Sequence, residues 1–153
     1  MKSSKLVLFL LFLFSIETSA QFSIEAFIDE PLDKNFKEAK IQLADKKIEE
    51  KPAMNFVGIS YYEWFDPFSL KISYLFDDEG KQKGKALRNG KENEDDAMKL
   101  FEIFKKQLIK KFGSNISENN MMGMTMLQWK GVEKYTVMLS RKDSHTMLMV
   151  LVK

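Results

Sequence analysis

Cysteine is absent from the 153 residues, and histidine occurs once, at His145. Without a thiol there is no disulfide, no thiolate nucleophile, no iron–sulfur cluster and no zinc site with a sulfur ligand. One imidazole cannot supply a multi-histidine zinc or iron centre either. Charge of one sign is missing as well, with 24 Lys and Arg against 22 Asp and Glu. Nucleic-acid binders and polybasic membrane-surface proteins rely on several cations acting together, so this balance speaks against both. Long hydrophobic runs are scarce: the longest is Leu6 to Phe14, about half of what a spanning helix requires.

What is present belongs to a folded chain, with 44% hydrophobic and 30% charged residues. Lys2 and Lys5 precede the run Leu6 to Phe14, and Ser15, Glu17, Thr18, Ser19 and Ala20 follow it. That order is the charged, apolar and small-residue succession of a secretory signal peptide. Thr18 and Ala20 place the cut between Ala20 and Gln21, so a signal peptide over residues 1–20 and one domain over residues 21–153 are expected. Cleavage removes Lys2, Lys5 and Glu17, leaving 22 of the 24 basic and 21 of the 22 acidic residues. The mature chain is expected to be secreted or periplasmic, with no membrane span. At its length it can bury enough surface to be stable without disulfides.

Along the mature chain, Phe22 to Ile28 alternates imperfectly and reads as a first strand. Leu32, Phe36, Ala39 and Leu43 then recur at helical spacing, with Asp33 as the expected cap and Pro52 as the stop. Asn55 to Phe65 and Phe68 to Phe76 read as a strand pair around Asp66-Pro67. The segment Lys81 to Arg88 carries Lys81, Lys83 and Lys85 at period two, which suits a charged edge strand. Asn93, followed by Glu94, Asp95 and Asp96, opens a second helix. Its stripe is Ala97, Phe101, Phe104 and Leu108, and Gly113 ends it. After a polar loop, Ser114 to Asn120, three strands are expected at Met124 to Lys130, Val132 to Ser140 and Thr146 to Val152.

The expected fold class is α+β: antiparallel sheet, in one or two pieces, with two helices packed on one side and a tandem helix-plus-three-strand repeat. In element order it is similar to secreted modules built from tandem helix-plus-meander repeats, such as the beta-lactamase inhibitor protein architecture. That likeness rests on order alone and implies no function.

No motif for chemistry stands out. Asp143, Ser144 and His145 are consecutive, whereas a hydrolytic triad needs side chains converging in a line, and no G-x-S-x-G elbow occurs. Gly80 to Lys85 has too few residues between its glycines for a phosphate loop. Asp77, Asp78 and Glu79 lack the alternate spacing of a calcium loop. Methionine is the unusual usage, 10 in all, with Met121, Met122, Met124 and Met126 clustered. Thioethers select Cu(I), although methionine also fills irregular cores. The sequence therefore suggests a non-catalytic exported binding module without cofactor or metal, its partner a protein or a small ligand outside the cytoplasm. The alternatives are a Met-rich periplasmic copper-binding protein, with Met124, Met126 and His145 as ligands, and a carboxylate-dependent hydrolase. Tyr62 and Trp64, on one face of an aromatic strand, are the candidate binding residues.

Overall fold

The computed structural model describes residues 22–53 and 55–153. The signal peptide read over residues 1–20, with its cleavage point, lies outside the described residues. The elements run α1 (Ile24–Asp29), α2 (Phe36–Gln42), β1 (Glu49–Ala53), β2 (Phe56–Phe65), β3 (Phe68–Phe76), β4 (Gln82–Asn89), α3 (Glu94–Phe112), β5 (Ile116–Met121), β6 (Met124–Trp129), β7 (Tyr135–Lys142) and β8 (His145–Val152). The strands form one eight-stranded sheet in the order β1-β2-β3-β4-β8-β7-β6-β5, antiparallel throughout. Two meanders lie side by side, joined where Leu87 of β4 faces Leu148 of β8. Each half holds one strand more than the three read from the sequence.

The helices share one side because each inward-facing row of the sheet is apolar. Ile59, Leu70, Ile72, Leu87, Leu127, Leu139 and Leu148 are all buried there. Helix α3 lays Leu100, Phe101, Phe104 and Leu108 against β7 and β8. Helix α2 packs on the same side, with the Phe36 ring edge-on to Phe76 at 5.4 Å. Asn93 caps α3 by accepting from the Asp96 amide at 2.9 Å, and Gly113 ends it at φ 78°, both as the sequence indicates.

Four local expectations are corrected. Phe22 to Ile28 contains a helix rather than a strand: Ser23 caps it, and Ile24, Phe27 and Ile28 are buried at helical spacing. The cap of α2 is Asn35, in a capping box with Glu38, and not Asp33. The residues around Pro52 form β1, which tolerates a proline because it is an edge strand. The polar segment read as a loop before Met124 contains the other edge, β5.

The lysine-rich segment is the fifth correction. Strand β4 is central, between β3 and β8, and Lys85 is fully buried. Its ammonium donates to the carbonyls of Phe27 and Glu30 and, at 3.4 Å, of Ile28. Lys85 thus caps the C-terminus of α1 from the sheet, at the negative end of the helix dipole. Burial pushes the Lys85 ammonium down to about 8, with the Glu30 carboxylate pulling the other way. Beside it the Tyr74 hydroxyl donates to Glu30 at 3.1 Å and its ring stacks on Tyr61. Burial raises the Tyr74 hydroxyl above its ordinary range.

Candidate functional site: the uncovered face of the sheet

Side chains alternate along a strand, so every buried row implies a row on the opposite face. The strand register aligns three such rows across the middle of the sheet. The first runs Tyr62, Lys71, Arg88, Met147, Ser140. The second runs Glu49, Ser60, Ser73, Ala86, Met149, Met138. The third runs Lys51, Gly58, Leu75, Gly84, Leu151, Thr136. The three helices of the described residues lie on the other side, and among these residues the rows stay partly open to solvent.

Small residues occupy the centre of this face: Gly58, Ser60, Ser73, Gly84 and Ala86. Larger side chains surround them, so the face is hollowed into a trough of about 500 Å³. The walls are Phe56, Leu75, Met147, Met149 and Leu151, with Lys51, Lys71 and Arg88 at the margins. At the third row the walls come together: Lys51 stands at the sheet edge, and Leu75 and Leu151 meet above Gly84. A Cβ there would come within 2.5 Å of Leu151 Cδ2 and 3.4 Å of Leu75 Cδ1. At the first row, four residues away along β3, the trough opens among cations. That separation is about 13 Å at the usual strand rise.

Lys71 lies 2.8 Å from Glu49 and 5.4 Å above the Tyr62 ring. The Lys71 ammonium in turn holds the Glu49 carboxyl below its usual range. Arg88 is the direct cross-strand partner of Lys71, and among the described residues no carboxylate lies within ion-pair distance of it. Like charges placed directly opposite repel, so this pair stores an unbalanced positive charge at the mouth of the trough.

Tyr62 and Trp64 are both exposed, at 47% and 57%, on this same face. Tyr62 borders the trough through Lys71. Trp64 lies one row farther out, opposite Ser69, where a smaller hollow of about 70 Å³ reaches Pro67 and Asn89. Their strand neighbours Tyr61 and Phe65 face the helices, Tyr61 in the core and Phe65 packed against it. Sequence reasoning missed the trough itself. Its signal was the run of small residues at alternate positions of β2, β3 and β4, set against apolar alternates in β8.

The methionines gather on this face rather than in the core. Met126, Met138, Met147 and Met149 are half-buried on it, while Met122 is exposed in the β5–β6 turn. His145 does not join Met124: Lys142 of β7 stands between them in the register. Its Nε2 lies 3.2 Å from Glu92 Oε1 and its Nδ1 3.2 Å from Ser144 Oγ. This Ser144–His145–Glu92 line includes no Asp143, which occupies a turn position at φ 48°. His145 and Glu92 have side chains 50% and 78% exposed. Water screens such a pair, so it supplies none of the low-dielectric stabilisation that acyl transfer needs. Among the described residues no group of three His, Asp or Glu side chains is placed to hold a metal, and no helix is long and apolar enough to cross a membrane. No family model matches the chain, and neither a curated protein nor a solved structure matches it.

Proposed function

We propose that this chain is an exported, non-catalytic binding module whose binding surface is the uncovered face of the sheet, with Tyr62 and Trp64 extending it at one end. The observation that carries the reading is the trough: a large apolar concavity on a face over which the described residues place no second layer. Ligand sites are mostly apolar hollows of roughly 300–1,000 Å³ with a few polar groups at the margin. Flexible methionine side chains suit such a wall, since they adapt to what they contact. The signal-peptide pattern of residues 1–20 supports export, and the absence of cysteine is compatible with an oxidising compartment.

The test uses a neutral fluorescent probe, N-phenyl-1-naphthylamine, with the protein produced from Gln21. Saturable binding is expected, lost in Ala86→Phe, which fills the floor, and in Met149→Glu, which charges the wall. Both variants are expected to melt cooperatively. Absence of probe binding to the wild-type protein, or binding that survives both substitutions, overturns the reading.

A further inference from the structure

The trough is not uniformly apolar. Toward one end Leu75 and Leu151 lie over Gly84, and the other end opens beside Lys71 and Arg88, cross-strand neighbours on the same face. Within the strands, Glu49 is the one carboxylate at an outward position among the described residues, against Lys51, Lys71, Arg88 and Lys142. The described part of the chain is otherwise nearly balanced, so positive charge is concentrated on the face that is also apolar. Glu49 is already engaged with Lys71 at 2.8 Å and Lys51 at 3.4 Å. Of the other two, Arg88 and not Lys142 lines the trough, so it is the cation there that can meet an external anion, and its planar guanidinium suits two parallel hydrogen bonds to a carboxylate.

We propose that the trough takes a single soluble amphipathic anion of the fatty-acid class, its carboxylate on Arg88 and Lys71 and its apolar chain lying over Ser73, Ala86 and Gly84 toward Leu75 and Leu151. This rests on the binding-face reading above and adds the polarity of the ligand. The apolar length from the charged row to the row of Leu75 and Leu151, about 13 Å, fits a medium-length alkyl chain, and a longer one would run on toward Phe56. The charge complementarity selects a carboxylate over an alcohol of the same chain. It also disfavours an alkylammonium, which would meet the guanidinium of Arg88 with no carboxylate of the described residues paired to it. An anion between the two cations relieves their mutual repulsion, so binding carries an electrostatic gain in addition to the apolar contact.

The experiment is displacement of N-phenyl-1-naphthylamine by dodecanoate, dodecanol and dodecyltrimethylammonium, each below its micellar concentration. Dodecanoate is expected to compete about tenfold better than dodecanol, the worth of one charge-assisted contact, and dodecyltrimethylammonium worst. In Arg88→Gln the advantage of dodecanoate is expected to shrink to about threefold or less, while dodecanol is unaffected. Arg88 is exposed, so the variant keeps its fold, and its melting temperature is the check. Equal competition by dodecanoate and dodecanol overturns the anion assignment while the binding-face reading stands. So does an advantage that Arg88→Gln leaves intact. Two further arms address other occupants of the face: sedimentation of the protein with phosphatidylglycerol vesicles, and its own oligomeric state. Vesicle binding without dodecanoate binding, or a dimer that Met149→Glu dissociates, also overturns the proposal.

Discussion

The two faces of the eight-stranded sheet are made from the same strands and obey opposite rules. On the covered face the alternating residues are large and apolar, and α1, α2 and α3 close over them. On the open face the same strands present glycine, serine and alanine at the centre, methionine and leucine at one flank, and cations at the other. Strand β8 shows the contrast within one element. Thr146, Leu148 and Val150 are buried, while Met147, Met149 and Leu151 between them are half-exposed. An apolar residue on a strand is thus no proof of core. A face can be apolar because something packs on it within the chain, or because something outside the chain is meant to.

The largest expected effect breaks the covered face. Phe104 is fully buried at the centre of the α3 stripe, so Phe104→Ala is expected to cost about 3–5 kcal/mol through lost transfer energy and the cavity left behind. Urea unfolding with an unchanged slope measures it. A loss below about 1 kcal/mol would mean that α3 does not seal the sheet.

Lys85 sharpens the comparison, because it is a cation on the covered side. Lys85→Met removes the donor to the carbonyls closing α1 and is expected to cost about 2 kcal/mol near neutral pH. The pH dependence carries a definite sign. The folded ammonium titrates near 8, below its ordinary 10.5, so between those values the unfolded chain holds more protons. Wild-type stability from this group therefore rises with pH across that window. The gap between wild type and Lys85→Met widens accordingly, by roughly 1.4 kcal/mol for each unit by which the pKa values differ. Urea midpoints for both proteins at pH 7.5 and 10.5 test this, and a gap that narrows on raising the pH refutes it.

Which parts were legible in the sequence follows from the same two-faced logic. Strands β2, β3, β7 and β8 and helix α3 were readable because each buries one side, and burial imposes a period. The edges β1 and β5 were not, since an edge strand with little burial carries no alternation. Pro52 in one, and Glu118, Asn119 and Asn120 in the other, look like loop residues until their hydrogen-bonded neighbours are known. Helix α1 failed for a different reason. Its six residues are too few to separate a period of 3.6 from one of 2, and the cap that ends it comes from Lys85, distant in sequence. The lysine segment misled because side-chain charge was taken as exposure, while the buried Lys85 ammonium is satisfied by carbonyls that no local pattern announces. Tyr62 and Trp64 were readable as a shared face, and only their exposure, with no second layer over them among the described residues, decides that this face is open.

A smaller effect is expected at Gly84, where the open face is tightly packed in the middle of the sheet. Gly84 lies under Leu151 and Leu75, and a Cβ there would also sit 3.1 Å from the Val150 carbonyl. Gly84→Ala is expected to cost about 1–2 kcal/mol, because Leu151 can swing aside whereas the backbone carbonyl must shift. Denaturant unfolding decides it. A neutral or stabilising outcome would mean that Leu75 and Leu151 do not meet over Gly84.

The smallest expected effect on stability carries the most about function. Tyr62 and Trp64 are exposed on the open face, and the sole packing partner of Tyr62's ring noted above is Lys71. Replacing both with Ala removes little buried surface, so the expected loss is within about 0.5 kcal/mol, the range of surface substitutions. The melting temperature should move by no more than a few degrees. Binding should respond differently at the two positions. Tyr62 borders the charged mouth of the trough and helps hold Lys71 in place, so Tyr62→Ala is expected to weaken dodecanoate by a few-fold, a cation–π contact being worth about 0.5–1 kcal/mol at exposed sites. Trp64 is one row beyond the trough, so Trp64→Ala should leave dodecanoate unchanged and weaken only a larger partner that spans both rows. Measured side by side, the two single variants separate a small ligand confined to the trough from a macromolecule laid across the whole face. Unfolding of either variant at room temperature would show that the aromatic pair is core, and would collapse the distinction between the faces from which the binding surface is inferred.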